Sequence, residues 1–236
     1  MKTIIHRSED RGAADHGWLQ AKHSFSFANY YDPSRLQFGV LRVLNDDIVA
    51  PSMGFGKHPH DNMEIITIPL EGSLEHKDSM GNSSIIKAGE IQVMSAGTGI
   101  MHSEQNPSHD QPINLLQIWL FPNKRGVTPR YDQQELNTVD MKNNWSQILS
   151  PSAEDQGVWI HQNAWFHRGD FDTDKRSTYT LKDPTNGVYL FVIEGAIEVA
   201  GETLHKRDAI GLTELQSIEI NSTNNSKLLL MEVPMN

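Results

Sequence analysis

Apolar and polar residues alternate with a period of two along most of the chain, in short runs punctuated by Gly, Asn, Asp and Pro. Residues 38–44, 63–70, 84–94, 113–121, 188–199 and 228–233 show the pattern most clearly. Alternation of this kind predicts half-buried β-strands, and helical periodicity is scarce, so the expected fold is all-β, a sandwich or barrel. Turns are predicted at residues 77–83, reading KDSMGNS, and at residues 195–201, because Gly and Asn there accept positive φ. Between residues 124 and 155 the pattern weakens into a polar stretch with one short helix predicted over residues 132–136.

An internal repeat divides the chain. Leu70-Glu71-Gly72-Ser73-Leu74-Glu75 matches Ile193-Glu194-Gly195-Ala196-Ile197-Glu198, each copy preceded by an apolar strand. Lys87-Ala88-Gly89-Glu90 then corresponds to Lys206-Arg207-Asp208-Ala209, with a shorter hairpin in the second copy. Two copies of one β unit joined by the polar stretch are the expected organisation.

Composition narrows the chemistry. There is no Cys among the 236 residues, so thiolate metal sites, disulfides and cysteine nucleophiles are excluded and any metal must sit on His and carboxylate. The net charge of −10 opposes a phosphate backbone, and direct nucleic-acid binding is not expected. No stretch approaches the roughly 18 to 20 apolar residues of a membrane span, and the charged opening MKTIIHRSEDRG does not read as a secretion signal. A cytoplasmic monomer without membrane contact is the expectation.

The histidines carry the strongest functional signal. His58 and His60 flank Pro59, and residues two apart on a strand face the same way. His102 and Glu104 repeat that spacing after the turn Gly97-Thr98-Gly99. If the two strands are neighbours, three imidazoles and one carboxylate converge, a ligand set that leaves positions open on a divalent metal. Glu64, four residues after His60, is expected on the same face if the strand is regular. His6, His16, His109 and His205 read as solvated, and His23, His76, His161 and His167 are ambiguous.

At these residues the chain resembles the pirin family of the cupin superfamily, in particular the bacterial pirin-like quercetinases. HSFSFANYYDP (residues 23–33), FGVLRVLNDD (38–47), HPHDNMEIITIPLEGSLEHKDSMGN (58–82) and KAGEIQVMSAGTGIMHSEQN (87–106) carry the resemblance, with HQNAWFHRGDF and YLFVIEGAIEVAGETL matching more loosely in the second half. It implies a bicupin of two face-to-face jelly rolls. Residues 1–130 would form the metal-binding unit and residues 131–236 a cupin-like unit without ligands. It further implies one divalent ion on His58, His60, His102 and Glu104, with Fe(II) first and Zn, Ni, Cu, Mn and Co chemically acceptable. Counting through the repeat places Leu181 and Asp183 where the second half would need imidazoles.

Two functions are consistent with that resemblance. One is a quercetinase-type dioxygenase acting on a flavonol and O2, with Glu104 taking the substrate hydroxyl proton. The other is an iron-bearing regulatory module acting through a protein partner. A substrate-sized pocket at the metal separates them. Met53, Phe55 and Met63 are expected to line it, while Phe25 and Phe27 read as one buried strand face.

Overall fold

The alternating runs form strands throughout, and the computed structural model, which describes residues 1–235, contains no helix among them. The chain opens with β1 (Lys2–His6), β2 (Gly12–Asp15), β3 (Leu19–His23), β4 (Leu41–Val49), β5 (Gly54–His60) and β6 (Glu64–Glu71). It continues through β7 (Ser73–Asp78), β8 (Ser83–Lys87), β9 (Glu90–Ser95), β10 (Ile100–Gln105), β11 (Ile113–Leu120) and β12 (Arg130–Glu135). The second half holds β13 (Ser146–Ser150), β14 (Val158–Trp159), β15 (Trp165–Phe171), β16 (Lys175–Thr180), β17 (Gly187–Val199), β18 (Glu202–His205), β19 (Ala209–Thr213) and β20 (Ser217–Val233).

Three sheets result. A four-stranded sheet runs β5-β10-β7-β8, and a seven-stranded sheet runs β12-β9-β6-β11-β4-β3-β2. Nine strands of the second half and the N-terminus make the third, with β1 at its edge against β19. This is the all-β bicupin architecture. Among the described residues no helix is long and apolar enough to cross a membrane.

Alternation decides which face of each strand meets which layer. On β6, Ile66 and Ile68 face the second half, as do Leu116, Ile118 and Leu120 of β11. They meet Tyr189 and Phe191 of β17 and Leu229 and Met231 of β20 in one buried layer. Each such side chain, fully removed from water, contributes roughly 1.5 to 3 kcal/mol, so this layer fixes the two halves against each other. The opposite faces of the same strands point into the two sandwiches: Leu115 joins Leu74 and Ile86 in the first, and Val188, Leu190 and Val192 join Ile197, Leu204 and Ile218 in the second.

The repeat is visible in the strand order. β6 pairs with β9 and β11 as β17 pairs with β19 and β20. Gly72 and Gly195 carry the same left-handed backbone, φ 77° and 85°. Gly195 lies within β17 at a register shift, whereas Ala200 and Gly201, both at positive φ, make the turn into β18. The expected turn therefore covers only the end of residues 195–201. The 77–83 turn closes the β7·β8 hairpin.

The helix predicted over residues 132–136 is absent. Those residues enter β12, which spans residue 130 and pairs with β9 from Arg130↔Ser95 to Glu135↔Glu90. The helix preference of Gln and Glu is worth only tenths of a kcal/mol per residue, and ladder pairing along six residues outweighs it. His6 departs from its expected solvation: it is buried, with Nδ1 2.7 Å from the Tyr189 hydroxyl.

Candidate metal centre

β5 and β10 are antiparallel neighbours, with His102 opposite His58 and Ile100 opposite His60. Because cross-strand partners share a face, the sequence spacing becomes a cluster in space. The three imidazole rings form a triangle with centroid separations of 4.9 Å (His58–His60), 4.4 Å (His58–His102) and 4.9 Å (His60–His102). One ligand atom from each lies within 4.8 Å of the others. A second group at the same spacing consists of His76, His102 and Glu104, so His102 is common to both. The structure thus brings His58, His60 and His102 together, with Glu104 behind His102.

Each of the four residues keeps at least one ligand atom without a hydrogen bond. His58 Nδ1 is 2.7 Å from the Gly56 carbonyl, which can only accept, so its proton sits there and Nε2 keeps the lone pair. His60 Nε2, His102 Nε2 and Glu104 Oε1 are buried without a hydrogen-bond partner. Buried polar atoms are rarely left so, and a cation is a partner that each of them could accept. Gln117 Nε2 donates to Glu104 Oε2 at 2.9 Å and holds the carboxyl group in place.

Burial sets the protonation. It lowers His60 to about 4, helped by the neighbouring His58. It lowers His102 to about 2, aided by His58, His60 and His76. Both imidazoles are therefore neutral at pH 7, as metal coordination requires. Burial raises Glu104, opposed by the Gln117 hydrogen bond and the facing histidines.

Beside the cluster opens a cleft of about 440 Å3. Trp18, Phe27, Phe55 and Trp119 give it apolar walls, while His23, Asn45, Asp47 and Gln117 supply polar groups. The Trp119 ring stands edge-on to His60 at 4.9 Å and to Phe27 at 5.4 Å. Of the expected lining only Phe55 takes part. Met53 is 43% exposed, and Met63 packs on Ile65, Met94 and Ile100. Phe25 and Phe27 do not share a strand face, because the chain leaves β3 at His23. Phe25 enters the layer between the halves and Phe27 the cleft.

Glu64 is not on the face of His60. Residues 61–63 carry the chain from the four-stranded sheet into the seven-stranded one, which resets the alternation. Its carboxylate accepts from Ser95 Oγ at 2.6 Å instead, and burial raises it to about 7. Sequence reasoning missed Trp18, Asp47, Gln117 and Trp119, and left His76 undecided. The alternation Leu116-Gln117-Ile118-Trp119, with polar or amphipathic residues opposite a buried apolar face, was the available signal.

Residues 5–120 match the family described as Pirin, and residues 147–233 match the one described as Quercetinase C-terminal cupin domain. The chain belongs to the pirin family. Among its relatives is the quercetin 2,3-dioxygenase of Escherichia coli strain K12, 42% identical over 230 residues and covering 98% of each chain. A pirin-like protein of Caulobacter vibrioides is 38% identical over 222 residues, covering 94% of this chain and 95% of its own. In structure, this pirin superposes on the bacterial pirin YhhW of Escherichia coli in complex with nickel(II). The TM-score is 0.93 at 40% identity, with 99% of both chains covered.

The second half of this pirin is filled where the first half has its imidazoles. Ile65↔Met94 in the first half corresponds to Val188↔Leu212 in the second, and the same displacement carries His102 onto Ile220. Ile220 pairs with Ser177, and Ile218 with Tyr179, so Ser177 and Tyr179 stand where His58 and His60 do. Leu181 and Asp183, reached by counting, lie beyond the end of β16. Tyr179, Ile218 and Ile220 pack into the apolar interior of that sandwich.

Proposed function

We propose that this chain is a metal-dependent dioxygenase of the quercetinase type, opening a flavonol such as quercetin with O2. In this reading His58, His60, His102 and Glu104 hold one divalent ion, Fe(II) ahead of Zn, Ni, Cu, Mn or Co. Residues 1–130 carry the chemistry, and residues 131–236 brace them. The observation that carries the reading is the set of three buried donor atoms without partners, His60 Nε2, His102 Nε2 and Glu104 Oε1, beside an open cleft with aromatic walls. The relative named quercetin 2,3-dioxygenase and the nickel(II) complex of YhhW support it.

When bound, the ion supplies Lewis acidity that lowers the pKa of a coordinated substrate hydroxyl. The chain's own residues do the rest. Neutral imidazoles and one carboxylate leave a divalent ion with net positive charge. Trp18, Phe27, Phe55 and Trp119 receive a flat polyphenol and exclude water, and about 440 Å3 lies within the size range of small-molecule pockets. Glu104, made more basic by burial, is the group that takes the hydroxyl proton.

The test is O2 uptake by the Fe(II)-loaded protein on quercetin, with loss of the flavonol's near-visible absorption and release of carbon monoxide. No uptake in a fully loaded sample would overturn the reading in favour of the regulatory module, for which a substrate-sized cleft has no use.

A further inference from the structure

Behind His102, on the side away from the cleft, stands a second buried histidine that the ligand set does not use. β7 pairs with β10, placing His76 opposite Glu104 and Asp78 opposite His102. His76 and Asp78 have fully buried side chains. The His76 ring lies against Tyr131 of β12, with centroids 4.9 Å apart.

The hydrogen bonds here fix the positions of protons one after another. Asp78 receives the backbone N–H groups of Met80 (2.9 Å) and Asn82 (3.1 Å) on Oδ1, and the Asn82 amide (2.8 Å) on Oδ2. Its carboxylate is thereby locked as an acceptor. His76 Nε2 lies 3.2 Å from Asp78 Oδ2, so the His76 proton is on Nε2 and the lone pair on Nδ1. That lone pair faces His102 Nδ1 at 3.5 Å, a contact that is a hydrogen bond when the His102 proton is on Nδ1. The lone pair of His102 is then left on Nε2. Nε2 is also the buried atom without a partner, an observation independent of the chain of bonds behind it.

We propose that Asp78 and His76 form a two-step hydrogen-bond relay that fixes the tautomer and the ring orientation of His102, so that Nε2 is presented to the metal. His76 is a positioning residue, touching neither substrate nor ion. Carboxylates and carbonyls commonly back metal-binding imidazoles in this way, and here a second imidazole is interposed. The inference rests on the metal reading of the site but on no particular substrate.

The experiment uses 15N-histidine-labelled full-length protein, metal-free and zinc-loaded, with long-range 1H–15N correlation to read each tautomer. Zinc affinity is measured in parallel by chelator competition. The wild type should show Nδ1–H on His102 and Nε2–H on His76 in both forms. His76→Leu should remove the His102 tautomer preference and weaken zinc binding about 10-fold, the lower end of the usual range because the imidazole–imidazole contact is long. His76→Asn, which restores an acceptor near the position of Nδ1, should recover most of the affinity. Metal-free wild type with the His102 proton on Nε2 would overturn the relay, and so would a His76→Leu variant that binds zinc as the wild type does. Two zinc ions per chain, one of them on His76, would overturn it in favour of His76 as a ligand. Wild type that binds no zinc would sink the metal reading, while the tautomer in the metal-free protein would still decide the relay.

Discussion

Gln117 donates to Glu104 Oε2 at 2.9 Å and leaves Oε1 as the free oxygen of that carboxylate. One amide thus selects which oxygen faces the histidines. Gln117→Leu should weaken metal binding about 10- to 100-fold while the chain still folds. Zinc titration with circular dichroism as a folding control checks this, and unchanged affinity would show that the hydrogen bond does not orient the ligand.

The two buried glutamates of the first half should separate cleanly. Glu104→Gln is expected to lower metal affinity and activity together. Glu64→Gln, whose side chain bonds Ser95 within the seven-stranded sheet and away from the histidines, should leave the metal in place. Elemental analysis of both variants settles it, and metal loss in Glu64→Gln with retention in Glu104→Gln would reverse the assignment.

Truncating the cleft wall should affect substrate and not metal. Phe27 meets Trp119 edge-on in the cleft wall and carries no group that could hold a metal. Phe27→Ala removes aromatic contact worth on the order of 1 kcal/mol, so KM for the flavonol should rise roughly 5- to 10-fold with metal content unchanged. An unaltered KM would place the flavonol elsewhere.

The metal-free protein should lose stability at both ends of the pH range. Burial lowers His6 to about 4 and His167 to about 3, from a value near 6.5 in the unfolded chain. The unfolded state therefore takes up protons first, and the stability these residues contribute above pH 6.5 is lost as pH falls through the folded values. Asp47, raised by burial to about 8, and Glu64, raised to about 7, act oppositely. Their contribution is complete below about pH 4 and is lost as pH rises through 7 and 8. Urea unfolding from pH 4 to 9 should show a maximum between these limbs, and Asp47→Asn should flatten the alkaline one. Glu104, which burial also raises, leaves a residual limb, so it is an alkaline limb undiminished in an Asp47→Asn, Glu64→Gln double variant that would refute the assignment.

What was legible in the sequence was local. His58 and His60, and then His102 and Glu104, obey the two-residue period within single strands, β5 and β10, and each half of the proposed ligand set could be read without knowing the other. The motif after Gly72 and its copy after Gly195 likewise reported one β unit used twice. What failed involved a reset or a partner far away in the chain. The alternation from His60 does not survive the change of sheet at residues 61–63, so Glu64 points elsewhere. His6 looks solvated among polar neighbours, yet its partner Tyr189 lies in the other half. Residues 132–136 have helical composition, but the free edge of β9 decides their conformation. His76 was ambiguous because only the pairing of β7 with β10 brings it behind His102.

The placement of β1 has a consequence for the order in which the molecule can be completed. This strand precedes the whole of the first half, but its partner β19 follows it, so their pairing spans nearly all of the described chain. During synthesis β1 must remain an unpaired edge while the whole first half assembles, and long-range pairing of that kind slows folding. Once formed, it ties the beginning of the chain to the far sheet, so that cutting the polar connection between the halves would leave both fragments with an exposed strand edge.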